Sequence, residues 1–213
     1  MRLRLFAFLL ALVPLVACAQ NAGAPQQGRD YHVIRDAQAL DPRPGRIEVV
    51  EVFSYACGFC AQLEPIISRW QGNLADDVDF VHLPATFGGA IDNFARGYFV
   101  AEQAGIAADV HRPMFNAFHV EGKMRQGNER EIAEFMAGFA DDMDADRYLQ
   151  SMKSFSMNAR VNRARQFSVR TGVDGTPQII VNGKYRVVAT RDGGFDGMLR
   201  TVEHLIERER NGG

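Results

Sequence analysis

A run of β-branched and aromatic residues, Ile47-Glu48-Val49-Val50-Glu51-Val52-Phe53, leads into Cys57-Gly58-Phe59-Cys60, where a helical pattern begins. At period two, Ile47, Val49, Glu51 and Phe53 share one side and Val50 and Val52 the other. Both sides are mostly apolar, which predicts a central strand covered on both faces. Beyond Cys60, Leu63, Ile66, Ile67 and Trp70 recur at helical spacing, with Pro65 read as a kink rather than a terminator. Cys57 then falls at a helix N-terminus, where unpaired amides and the positive end of the dipole favour the nucleophilic thiolate. Two intervening residues let one sulfur reach the other, so the pair can cycle between dithiol and disulfide.

Two blander readings fit less well. A structural bridge closing so short a loop removes little entropy from the unfolded chain. Half of a zinc site lacks a second cysteine pair, and His32, His82, His111, His119 and His204 show no ligand-like spacing.

The start of the chain reads as an export signal. Arg2 and Arg4 precede an apolar stretch, Leu5 to Val16, too short to span a bilayer stably. Leu15-Val16-Ala17-Cys18 has the form of a lipobox, which makes Cys18 a candidate lipid anchor. Ala17-Cys18-Ala19 equally fits ordinary cleavage after Ala19. Residues 20–30, rich in Gly, Gln, Asn and Ala, suit a flexible tether. Such a leader sends the mature chain out of the cytoplasm, where disulfides persist. The formal net charge of −2 and the absence of a basic stripe give no footing for nucleic-acid binding.

The remaining pattern alternates strand, helix and strand, then turns helical. Val78 to Leu83 reads as the second strand, stopped by Pro84 and Gly88-Gly89. Between about Asp92 and Arg170, Asn128 with Glu131 and Asp144 stand as helix caps, and Gly172 as a terminator. This block carries Met114, Phe115, Phe118, Met124, Phe135, Met136, Phe139, Met143, Met152, Phe155 and Met157. A helical core is the main reading for them; a few lining a peptide groove is the alternative. Two short strands, Gln178-Ile179-Ile180-Val181 and Lys184-Tyr185-Arg186-Val187-Val188, then flank Asn182-Gly183, the type I′ hairpin signal. Gly175-Thr176-Pro177 precedes them, and a proline at a strand entrance fits a cis bond or an edge position. An amphipathic helix over Phe195 to Arg208 closes the chain.

This ordered set resembles the thioredoxin-fold DsbA family of periplasmic thiol:disulfide oxidoreductases over roughly Asp30 to Arg208. The most specific parts are Val50-Glu51-Val52-Phe53-Ser54-Tyr55 running into Cys57, Gly175-Thr176-Pro177, and Val181-Asn182-Gly183-Lys184-Tyr185. The resemblance implies an α/β, thioredoxin-like fold with an inserted helical domain. Its expected divisions are a signal over 1–19, a tether over 20–30, thioredoxin-like parts over 31–90 and 161–210, and a helical insertion over 91–160. It makes Cys57 the attacking thiol, Cys60 the resolving one and Pro177 a cis-proline against them. Glu51 becomes a buried acid able to relay a proton, with Gly58, Phe59, Gly175 and Thr176 bordering the substrate.

The implied partners are reduced or unfolded exported proteins and a membrane reoxidant resembling DsbB, with no cofactor beyond the Cys57-Cys60 disulfide and no metal. Two departures stand out. The basic partner that often accompanies the buried acid is not evident in Val81-His82-Leu83; His82 could substitute, although a satisfied structural histidine is the plainer reading. Gly58-Phe59 replaces the Pro-His of strong oxidases, which removes a side chain able to stabilise the thiolate and points to a milder oxidant. A periplasmic reductase or isomerase shares every motif, and a copper-binding or client-holding lipoprotein is the non-catalytic alternative.

Overall fold

A computed structural model of the chain describes residues 23–212. The signal, Cys18 and the first part of the tether lie outside the described residues. Strand β2 (Ile47–Phe53) is buried at every position. It pairs in parallel with β3 (Val78–Pro84) and antiparallel with β4 (Gln178–Val181). Strand β5 (Tyr185–Val187) continues the sheet to β1 (Tyr31–Val33), giving the order β1-β5-β4-β2-β3. The expectation of a central, doubly covered β2 is met.

Two cores flank this sheet. On one side, Ile47, Val49, Ile179 and Val181 pack with Leu63 and Ile67 of α1 (Gly58–Gln71) and with Val202 and Leu205 of α7 (Gly194–Arg210). Helix α1 runs through Pro65 without ending. On the other side, Val50, Val52 and Ile180 meet a helical block. Its members are α2 (Ile91–Gln103), α3 (Ala107–His119), α4 (Glu129–Ala137), α5 (Ala145–Met152) and α6 (Phe155–Thr171). Phe53 departs from the expected alternation. It stands at the end of β2, where α2 and α3 wrap over the strand, and its ring meets Tyr98 and His111 edge-on at 5.2 and 4.8 Å.

Local chemistry sets the helix ends. Side chains of Asn128, Asp144 and Ser154 accept hydrogen bonds from the first-turn amides of α4, α5 and α6. Gly172 closes α6 in the left-handed conformation, φ 70°. Asn182 and Gly183 take φ of 51° and 66°, the two positive angles of a type I′ turn. No side chain fits at Gly183, because a Cβ there would sit 2.3 Å from the Gln38 carbonyl carbon. Glu209 of α7 ties this hairpin down by accepting from Asn182 Nδ2 at 2.6 Å and from Lys184 Nζ at 2.7 Å.

Three expectations need correction. Residues 26–30 are not loose tether, since the Asp30 carboxylate accepts from Gln26 N–H at 2.7 Å and Gly28 N–H donates to the Tyr31 carbonyl at 2.7 Å. The boundary at 160 falls inside α6, which is continuous because its apolar stripe, Met157, Val161, Ala164 and Phe167, stays buried along its length. Phe155 is 88% exposed and belongs to no core, whereas Met114, Met136, Met152 and Met157 are buried as expected. Among the described residues no helix is long and apolar enough to cross a membrane.

Candidate active site

Cys57 caps α1 from an extended backbone, and its Sγ accepts from the Cys60 N–H at 3.4 Å. Both cysteines are free thiols; Cys57 is partly exposed and Cys60 is wholly buried. Their environments push them in opposite directions. The Cys60 thiol donates toward Cys57 sulfur, and together with the Thr176 side chain and the amides of Cys60 and Phe59 this overcomes burial and holds the Cys57 thiol down at about 5. The same hydrogen bond, reinforced by burial, pushes the Cys60 thiol far up. At neutral pH the pair therefore carries one thiolate, at the accessible position.

The strand entrance at 175–177 is folded against this pair. The Thr176–Pro177 peptide bond is cis. When protonated, Cys57 Sγ donates to the Thr176 carbonyl at 3.1 Å. An open groove of about 610 Å³ leaves from here, lined by Phe59, Gln62, Gly175, Pro177, Val188 and Phe195. Phe59, expected to border the substrate, is 65% exposed on its rim. Gly58 faces the other way, into a cleft between α1 and α3. The structure thus brings Cys57, Cys60, Gly175, Thr176, Pro177 and Phe59 together.

Glu51 is buried, 2% exposed. Its Oε2 lies 2.8 Å from Nδ1 of His82, the residue directly opposite on β3. His82 therefore stands where a basic partner of Glu51 was expected, and the same hydrogen bond satisfies its ring structurally. A lone buried carboxylate is costly, and this hydrogen bond is what makes the position tolerable.

The fold and this arrangement have counterparts. The model of the DSBA-like thioredoxin domain matches residues 48–195. The chain belongs to the DsbA family. The thiol:disulfide interchange protein DsbA of Azotobacter vinelandii is 38% identical over 79% of this chain and 78% of its own length. The DsbA of Pseudomonas aeruginosa is 34% identical over 99% of this chain and 98% of its own. The crystal structure of oxidoreductase DsbA from Xylella fastidiosa superposes with a TM-score of 0.83 at 36% identity, over 89% of this chain and all of that one. This DsbA-family chain is a protein disulfide oxidoreductase that introduces disulfide bonds.

Residues missed by sequence reasoning lie on α3. His111 is buried, its Nδ1 is 3.0 Å from the phenol oxygen of Tyr55, and its ring centroid is 4.5 Å from that of His82. Burial, aided by His82, pushes the His111 imidazole down to about 3, so it is neutral. Burial likewise raises the Tyr55 phenol well above its usual range. Nε2 of His119 reaches the Tyr55 carbonyl at 2.8 Å. The available signal was helical spacing: His111, Phe115 and His119 fall every fourth residue, on one face of a helix.

Proposed function

We propose that this oxidoreductase works outside the cytoplasm and donates the Cys57-Cys60 disulfide to reduced exported proteins. A substrate thiolate attacks Cys57 sulfur, the Cys57–Cys60 bond breaks, and the electron pair leaves on Cys60, which takes a proton in its buried site. A second substrate thiolate then attacks the substrate sulfur of the mixed disulfide, releasing an oxidised substrate and the Cys57 thiolate. A low-pKa Cys57 is the better leaving group in that second step. The substrate would run in extended form past Thr176 and Pro177, with Gly175 and Phe59 beside it and Gly58 behind Cys57. Glu51, with His82, would act as the buried proton acceptor and donor beneath the pair.

Reoxidation would come from a membrane partner resembling DsbB, and no group beyond the two sulfurs would be needed. Localisation in the periplasm follows from the family and the leader, and lipidation at Cys18 is its anchored variant.

The observation that carries this reading is the split between an accessible thiol held at about 5 and a buried one held far above it. Stabilising the thiolate stabilises the reduced protein, which is the condition for giving a disulfide away. Gly58-Phe59, which places no polar side chain beside the thiolate, supports a poise short of the strongest oxidants. Equilibration with glutathione buffers tests the direction. A potential well above about −180 mV supports donation, and one near about −270 mV overturns it in favour of a reductant.

A further inference from the structure

The loop joining β2 to α1, residues 54–56, frames both sulfurs. The Ser54 carbonyl accepts from Cys57 N–H at 3.0 Å, the Ser54 hydroxyl accepts from Ala56 N–H at 3.3 Å, and the Ser54 main chain hydrogen-bonds Cys60 sulfur. Its middle residue, Tyr55, is 1% exposed and is held by α3 at both ends. The phenol oxygen shares a hydrogen with His111 Nδ1 at 3.0 Å, and the main-chain carbonyl accepts from His119 Nε2 at 2.8 Å. A carbonyl cannot donate, so Nε2 of His119 carries the hydrogen. Between the two histidines, Phe115 packs against the Tyr55 ring at 4.9 Å.

We infer that α3 sets the reactivity of Cys57 by gripping Tyr55 at both ends, with His111 and His119 acting as positioning residues for the loop that leads into Cys57. This rests on Cys57 being the attacking thiol. The hydrogen bonds that hold a thiolate weaken steeply with misalignment, so a loop released by a fraction of an ångström loses some of them. The surroundings of the grip are mostly apolar. His111 faces Phe53 of β2, His82 of β3, Tyr98 of α2 and Phe115 of its own helix, and Glu51 reaches it through His82. His119 borders the cleft between α1 and α3, where Arg112 is bound to Glu64 at 3.0 Å and Gly58 and Ala61 line the opposite wall. The helical insertion thereby contributes to the redox site through side chains that touch neither sulfur.

The test is the pH titration of thiolate absorbance in the full-length reduced protein, with circular dichroism as the folding check. His119→Ala removes one grip at a half-exposed position near the end of a helix. It is expected to raise the Cys57 midpoint by about one pH unit and to slow release of oxidised peptide from the mixed disulfide several-fold. His119→Gln keeps an N–H donor at similar reach and is expected to restore the midpoint. Tyr55→Phe removes the other grip and is expected to shift the midpoint upward by a smaller amount. A folded His119→Ala protein with the wild-type midpoint overturns the inference; should that variant not fold, an unshifted Tyr55→Phe does so. Cys57→Ser separates the two levels. If it retains interchange activity, the attacking-thiol reading falls, whereas an inactive Cys57→Ser beside an unshifted His119→Ala defeats the grip alone.

Discussion

The two sides of the α1 N-terminus are built from different materials. On the Pro177 side the Cys57 sulfur meets the Cys60 thiol, the Thr176 side chain and carbonyl, the latter at 3.1 Å, and the amides of the first turn, and beyond them an apolar groove. On the α3 side stand side chains, His111, His119 and the Glu64–Arg112 pair, none of which bonds a sulfur. Main-chain donors and acceptors are available to any sequence that adopts the fold. The side-chain half depends on which residues α1 and α3 carry. The comparison teaches that the fold supplies the capacity for exchange, while the inserted helices supply the means of adjusting it.

The sharpest way to break that division is at the sulfurs. Cys57→Ser should abolish oxidation of a reduced peptide, and Cys60→Ser should trap mixed disulfides visible on non-reducing gels. Loss of activity in neither would leave the main-chain half without a purpose.

Core packing beneath the site comes next. Leu63→Ala, in the core between α1 and the sheet, should cost about 2–5 kcal/mol, read by denaturant unfolding. Gly183→Ala should lower the melting temperature, because the position combines a φ of 66° with an approach that leaves no room for a Cβ.

The buried pair on the sheet sharpens the comparison further. Glu51→Leu leaves His82 Nδ1 without its partner and should cost about 1–3 kcal/mol in chemical denaturation.

The thiolate itself gives a pH signature. The folded Cys57 pKa of about 5 lies below the unfolded value of about 8.5, so the group stabilises the folded reduced protein. That contribution is fully present above the unfolded pKa and is lost as pH falls through about 5. Reduced and oxidised proteins unfolded in parallel at pH 8 and pH 4 should therefore differ most at pH 8, with the reduced form losing ground at pH 4. A gap that does not change with pH would contradict the thiolate assignment. The smallest effect is expected at Phe155, 88% exposed, where replacement by Ser should change stability by no more than about 0.5 kcal/mol.

Much of this was legible in the sequence because it is local. The β2 run, the cysteine pair at a helix start, the Asn182-Gly183 turn and the caps Asn128, Asp144 and Gly172 each depend on residues within a few positions of one another. Pro177 and Glu51 were reached through the family resemblance, with the period-two pattern supporting Glu51. Phe53 was misassigned because alternation describes a free strand, and the end of β2 is enclosed by α2 and α3. The partnership of Glu51 with His82 depends on parallel register, which no local pattern carries. The contacts of His111 and His119 with Tyr55 span 56 and 64 residues and arise only when α3 docks. Their regular spacing was visible, but spacing alone does not say what a helix face meets.

The partner of Cys57 at Thr176 lies 119 residues further along the chain, on the far side of all five inserted helices. A chain that emerges N-terminus first therefore presents its cysteines long before β4 exists to pair with β2. Through that interval Cys57 and Cys60 lack the Thr176 partner and the groove beside Pro177, and only the local contacts at the start of α1 can bear on their acidities. The completed site is then among the last features that synthesis installs, so a prematurely ended chain carries the motif without its Thr176 partner and its groove.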